Sequence, residues 1–137
     1  NYYQVLMIVE YIFIHPHTGD TIVNKGVVNL VSKDPSIDNE NLDNGEGLFF
    51  ADIFFPGQSA TLKLEAEDLW FNPNASVQYV LYVRTLSEDF YQYKTSTLLQ
   101  NQVSGDPFAQ PVMVYNNVNG GYGILAGYSQ LKFVFDP

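Results

Sequence analysis

An antiparallel β-sandwich or barrel-like domain with one short helix is the fold class that this sequence predicts. Three observations carry it. Ten Tyr and ten Phe among 137 residues favour half-buried pleated surfaces over helix interiors. Apolar runs rich in β-branched and aromatic residues alternate with clusters of Gly, Pro, Asn and Asp, which is how strands and turns are punctuated. Helical spacing recurs in one place, after Ser87. A hydrophobic fraction of 46% at this length fills one core, so residues 1–137 read as a single β domain.

Residues 2–14 are apolar at nearly every position and, at about 3.3 Å per residue, outrun a typical strand. Both faces are apolar except at Gln4 and Glu10, predicting a bent or bulged central strand covered on both sides. His15-Pro16-His17-Thr18-Gly19-Asp20 predicts a turn, residues 21–31 a second strand, and residues 32–47 a mobile loop too polar to join the core. Residues 48–55 and 61–66 flank Pro56-Gly57-Gln58-Ser59, so a hairpin between them is expected. Residues 77–86 alternate with the period of a strand that has one drier face.

Ser87 then places a capping hydroxyl, and Glu88 and Asp89 two carboxylates, where a helix N-terminus favours them. Phe90, Tyr91, Lys94, Thr97 and Leu98 recur at helical spacing, predicting a helix over about residues 88–100. Pro107 and Pro111 turn the chain away from it. Residues 112–115, 123–128 and 130–135 predict three short strands in a closing meander, and residues 116–121 supply turn positions that tolerate positive φ.

Fifteen acidic against six basic residues give a net charge of −9, which excludes nucleic acid as a partner and opposes direct adhesion to anionic lipid. No run of about 20 apolar residues exists to span a bilayer as a helix. The absence of cysteine removes disulfides, thiolate zinc sites and thiol nucleophiles together. The chain opens on Asn1-Tyr2-Tyr3 already as strand, without Met or a leader pattern, as expected of the C-terminal part of a longer exported protein.

Few residues suggest chemistry. His15, His17 and Asp20 have donor spacing for a metal, but Pro16 and Gly19 make a solvent-facing turn the simpler reading. Asp34, Asp38, Glu40, Asp43 and Glu46 could surround calcium; Asn44 stands where an EF-hand starting at Asn39 needs glycine, and a solvated acidic loop is expected instead. Gly121-Tyr122-Gly123-Ile124-Leu125-Ala126 matches a dinucleotide fingerprint in form, yet the chain has no acidic residue about 20 positions later, so these read as strand and turn glycines. Trp70 and Phe71 are the candidates for stacking on a sugar or peptide. Neither catalytic residues, nor a metal site, nor a cofactor is expected.

Three blocks carry a resemblance: Leu86-Ser87-Glu88-Asp89-Phe90-Tyr91-Gln92-Tyr93, then Gly105-Asp106-Pro107-Phe108-Ala109-Gln110-Pro111-Val112, then residues 116–128 from Asn116 to Tyr128, which include Gly120, Gly121 and Gly123. In this order they resemble domain-of-unknown-function family 4249 of Bacteroidota envelope lipoproteins. Before Leu86 the likeness is weaker, with Asn1-Tyr2-Tyr3-Gln4-Val5 and residues 51–57 resembling that family's strand starts, so that the resemblance extends over the whole chain. The resemblance implies a β domain preceded by an immunoglobulin-like region and by a lipidated cysteine that anchors the protein to the outer membrane, facing the surface or the periplasm. It brings no catalytic residue with it. It also implies encoding beside TonB-dependent outer-membrane transporters. Within the blocks, Ser87, Glu88, Tyr91, Pro107, Phe108, Pro111 and the three glycines read as fold devices: cap, return and a tight final hairpin.

The expected role is therefore non-enzymatic: an accessory subunit or ligand-capture partner of such a transporter. A stand-alone carbohydrate- or peptide-binding module using Trp70 and Phe71 is the first alternative, and an envelope hydrolase using carboxylates the second.

Overall fold

The computed structural model describes residues 1–35, 37, 42–43, 45–53, 55–67 and 75–136. Within them the elements are β1 (Tyr2–Ile14), β2 (Thr21–Ser32), β3 (Leu42–Asp43), β4 (Gly47–Ala51), β5 (Leu64–Glu67), β6 (Ser76–Leu86), α1 (Glu88–Val103) and β7 (Tyr128–Phe135). Every strand pair is antiparallel. The domain is all-β with one helix, as its composition and punctuation predict.

β1 is the central strand, because it has apolar side chains on both faces and no proline to interrupt either ladder. One edge pairs with β6 from Tyr2↔Leu86 to Ile12↔Ser76. The other is divided: β4 takes Tyr2↔Ala51 to Val5↔Leu48, and β2 takes Met7↔Val28 to Ile14↔Thr21. Beyond Val28, β2 leaves β1 and pairs with β5 from Asn29↔Glu67 to Ser32↔Leu64. This departure folds the sheet over in a sandwich-like way. Val5, Leu48 and Phe50 then pack with Leu30 and Ile37, and Leu64 and Ala66 of β5 close against them. Leu48 and Phe49 are both 0% exposed.

Three expectations, two about connectivity and one about burial, are corrected. The hairpin between 48–55 and 61–66 does not form, since β4 pairs with β1 and β3 while β5 pairs with β2. β4 is buried at four of its five positions and needs cover on both faces, which a place beside β1 supplies; β5 alternates exposed and half-buried residues and suits an edge. Residues 112–115 and 123–127 are not strands. β7 pairs with β6 across the intervening helix, so neither a closing meander nor a tight final hairpin exists. The long free edge of β6 offers β7 a continuous ladder, while Tyr115 is held by α1: its N–H donates to Ser96 Oγ at 2.9 Å and its hydroxyl to Asp89. Finally, Ile37 is buried in the core although residues 32–47 look too polar to contribute.

α1 starts at the predicted residue and runs to Val103. Ser87 is its N-cap, with φ −67° and ψ 154°, and accepts from the Phe90 N–H at 3.4 Å. Glu88 and Asp89 occupy the first turn. No residue of α1 is fully buried. The helix is held to the sheet by Tyr91 stacked on Tyr2, with centroids 4.6 Å apart, and by the Lys94–Glu46 ion pair.

The start of β4 depends on a glycine. Gly47 has φ 86°, and a Cβ there would lie 2.2 Å from the Val5 carbonyl oxygen. Gly57 also has positive φ but open space around it. Gly47→Ala is expected to cost at least about 1–3 kcal/mol more than Gly57→Ala, measured as the difference in urea unfolding free energies. Equal costs would mean that β4 does not approach β1 this closely.

Candidate functional site

The residues nominated for chemistry do not assemble into a reactive centre among those described. His15 and His17 sit in the β1–β2 turn with ring centroids 5.9 Å apart. His15 Nδ1 accepts from the N–H groups of His17 and Thr18, both at 3.3 Å, so one ring nitrogen already serves the turn. No group of three His, Asp or Glu donors among the described residues could hold a metal. In the acidic segment, Asp38 and Glu40 lie outside the described residues, and Glu46 is paired with Lys94. Trp70 and Phe71, the candidates for ligand stacking, also lie outside them. A strand and not a helix follows Gly121-Tyr122-Gly123, so the context of a dinucleotide loop is missing.

Of the residues in the three blocks, Ser87 sits at the junction where β6 ends, α1 begins and the segment before β7 returns. Ser87 joins all three. Its N–H donates to the Gly127 carbonyl at 2.9 Å, and its Oγ accepts from the Gly127 N–H at 3.2 Å as well as capping α1. Asn117 anchors the loop before β7: its Nδ2 donates to the Leu125 carbonyl at 2.9 Å, and its Oδ1 accepts from the Leu125 N–H at 2.8 Å. Gly120 and Gly123 take φ values of 73° and 131°, which side chains rarely adopt. Gly121 lies between them in the same loop. Pro107 and Pro111 are exposed in the return from α1, and Phe108 is 94% exposed, its N–H bound to Asp106 Oδ1 at 2.9 Å. Tyr91 stacks on Tyr2, and Glu88 is an exposed first-turn acid.

The two faces of the β1–β6–β7 sheet differ in chemistry. One carries a polar row set by register, since Gln4 lies opposite Arg84 and Arg84 opposite Gln130. Arg84 Nη1 donates to Gln4 Oε1 at 3.0 Å and Arg84 Nε to Gln130 Oε1 at 2.7 Å. Gln4 is only 2% exposed, and its Nε2 donates to the Glu46 carbonyl at 2.6 Å. The guanidinium also lies 4.7 Å from the Tyr128 ring centroid. Arg84 thus holds three strands together while satisfying a buried amide.

The opposite face is apolar and partly open. Leu131, Phe133 and Phe135 of β7 stand opposite Val83, Leu81 and Tyr79 of β6, extending the apolar surface outward from the core. All eight residues of β7 are exposed, and Leu131 is 63% exposed. β7 pairs with β6 alone, leaving its other edge without a partner among the described strands. Within the same face, a cavity of about 320 Å³ opens between β6 and the segment that contains Phe55 and Leu62. Sequence reasoning passes over both features, although the Leu131-Lys132-Phe133-Val134-Phe135 alternation already marks one apolar face on the last strand.

Comparison with protein families, characterised proteins and solved structures finds no match. Among the described residues no helix is long and apolar enough to cross a membrane.

Two consequences can be measured. Arg84→Ala leaves the buried Gln4 carbonyl oxygen without its donor and is expected to cost about 1–3 kcal/mol in chemical denaturation. Adding Gln4→Leu should recover part of that loss, because removing both polar partners costs less than orphaning one; strictly additive losses would exclude the coupling. The Tyr115 phenol donates to Asp89, and that bond, with partial burial and the charges of Asp89 and Glu88, raises its pKa above the usual 10.0. Because the folded value is the higher one, its stabilisation is complete below pH 10.0 and is lost as pH rises through the raised value. Burial and the neighbouring Tyr79 raise the Tyr11 phenol as well, so tyrosinate absorbance should show a late-titrating component that loses one phenol in Tyr115→Phe.

Proposed function

We propose that this chain is a non-enzymatic assembly module of a cell-envelope lipoprotein, acting as an accessory subunit or ligand-capture partner of a TonB-dependent outer-membrane transporter. The envelope assignment rests on the resemblance carried by the three sequence blocks, of which the first and third are joined at Ser87. Attachment to a membrane in this reading comes from a lipid anchor outside these residues, at the outer membrane.

The observation that carries the docking role is the β7 edge. Exposed edge strands are ordinarily blunted by shortness, charge or proline. β5, at the far edge, follows that rule, with four residues including exposed Glu65 and Glu67. β7 does not, for it has eight residues, one charge at Lys132, and exposed Leu131, Phe133, Val134 and Phe135. The connection before it adds exposed Phe108, Met113, Tyr122 and Leu125. Such a surface suits addition of a strand from another envelope protein, with backbone hydrogen bonds giving affinity and alternate side chains giving register.

Capture of the native protein from detergent-solubilised membranes should bring down a barrel-forming transporter. Phe133→Asp, at an exposed position, should leave the melting temperature nearly unchanged and weaken that association by about tenfold or more. Recovery of the wild-type protein solely as a free monomer would refute the role.

A further inference from the structure

We propose that the cavity on the apolar face binds the aliphatic chain of an uncharged amphiphile, with the polar head held at its mouth by Gln58. Val5 of β1, Phe50 of β4, Leu81 and Val83 of β6, and Leu62 and Leu64 line the cavity. Its volume of about 320 Å³ lies in the range of small-molecule sites and exceeds the water-sized voids that packed cores leave. The space is therefore large enough for an occupant.

The lining decides the class of occupant. Among the described residues it contains no Asp, Glu, Lys, Arg or His; its polar side chains are those of Tyr3 and Gln58. An anionic head would find no cation in that lining, on a chain whose net charge is −9, so its charge would go uncompensated. Tyr3 and Phe50 are already stacked on each other, centroids 5.4 Å apart, which leaves mostly aliphatic side chains to meet a ligand. Those surfaces suit a flexible hydrocarbon chain, and an apolar dye can report on the same space. Gln58 is exposed, and its amide can both donate to and accept from a hydroxyl or ester head. The cavity is built from β1, β4, β5, β6 and the segment after β4, without β7, so this binding needs no partner chain and stands apart from docking at the β7 edge.

The test titrates the isolated chain with the neutral dye N-phenyl-1-naphthylamine and then displaces it with 1-dodecanol or with dodecanoate. Saturable one-site binding is expected, with dodecanol displacing the dye at least about tenfold more effectively than dodecanoate. Leu81→Gln should weaken dye binding by about fivefold or more through loss of apolar contact, and Phe133→Asp, outside the cavity, should leave it unchanged. Should Leu81→Gln unfold, Gln58→Ala decides, weakening dodecanol severalfold while leaving the dye unaffected. Non-saturable dye uptake, equal displacement by dodecanoate, or a folded Leu81→Gln with wild-type affinity would each overturn the proposal. None of these results bears on transporter capture by the native protein, so the two failures are distinguishable.

Discussion

β1 is hydrogen-bonded along both edges, and the rest of the domain is placed by which segment pairs with which stretch of it. On one side β6 runs the length of the strand. On the other, β4 ends at Val5 and β2 begins at Met7, so the hand-over falls at Leu6. Because β2 cannot follow β1 past that point, it swings away with β5 and covers the odd-numbered face, where Val5, Phe50 and Leu30 meet. Gly47 permits the hand-over by letting the start of β4 come against the Val5 carbonyl. The even-numbered face has a different solution, in which Arg84 bridges Gln4 and Gln130 across the three neighbouring strands. A buried amide there is tolerable because both its oxygen and its nitrogen are hydrogen-bonded.

The same arrangement leaves the apolar face unevenly covered. β2 and β5 shield the part over β1 and β4, while the apolar side chains of β7 stay exposed. Two features with distinct chemistry result. At the boundary between covered and uncovered regions lies a cavity large enough for a small apolar ligand. At the far end lies a strand whose backbone edge and alternating side chains suit pairing with another chain. The junction at Ser87 makes the second feature possible, since it ties the start of β7 to the end of β6 after a long excursion through α1.

Local chemistry made much of this legible. The Ser87 cap, the acidic first turn and the start of α1 follow from side chains acting on backbone groups within a few residues. The extents of β1, β2 and β6 follow from apolar runs bounded by turn residues, and the central place of β1 from its two apolar faces. Pairing partners were another matter. Residues 48–55 and 61–66 look like a hairpin because a short loop separates them, but loop length reports only which closure is entropically cheap. It carries no information about the competing ladder that β1 offers. Ile37 is likewise invisible as core, since one apolar residue in a polar segment gains its burial from distant strands.

By itself the sequence determined the all-β class, the single helix and its cap, and the absence of thiol chemistry, because each depends on residue type and near neighbours. Only the tertiary structure decided that β4 and β5 part company, that β7 returns to β6, that Arg84 serves a buried glutamine, and that an apolar cavity stays open beside them. Those outcomes arise from contacts between residues far apart in the chain, such as Gln4 with Arg84. Competition among complete folds settles such contacts, and no local pattern encodes them.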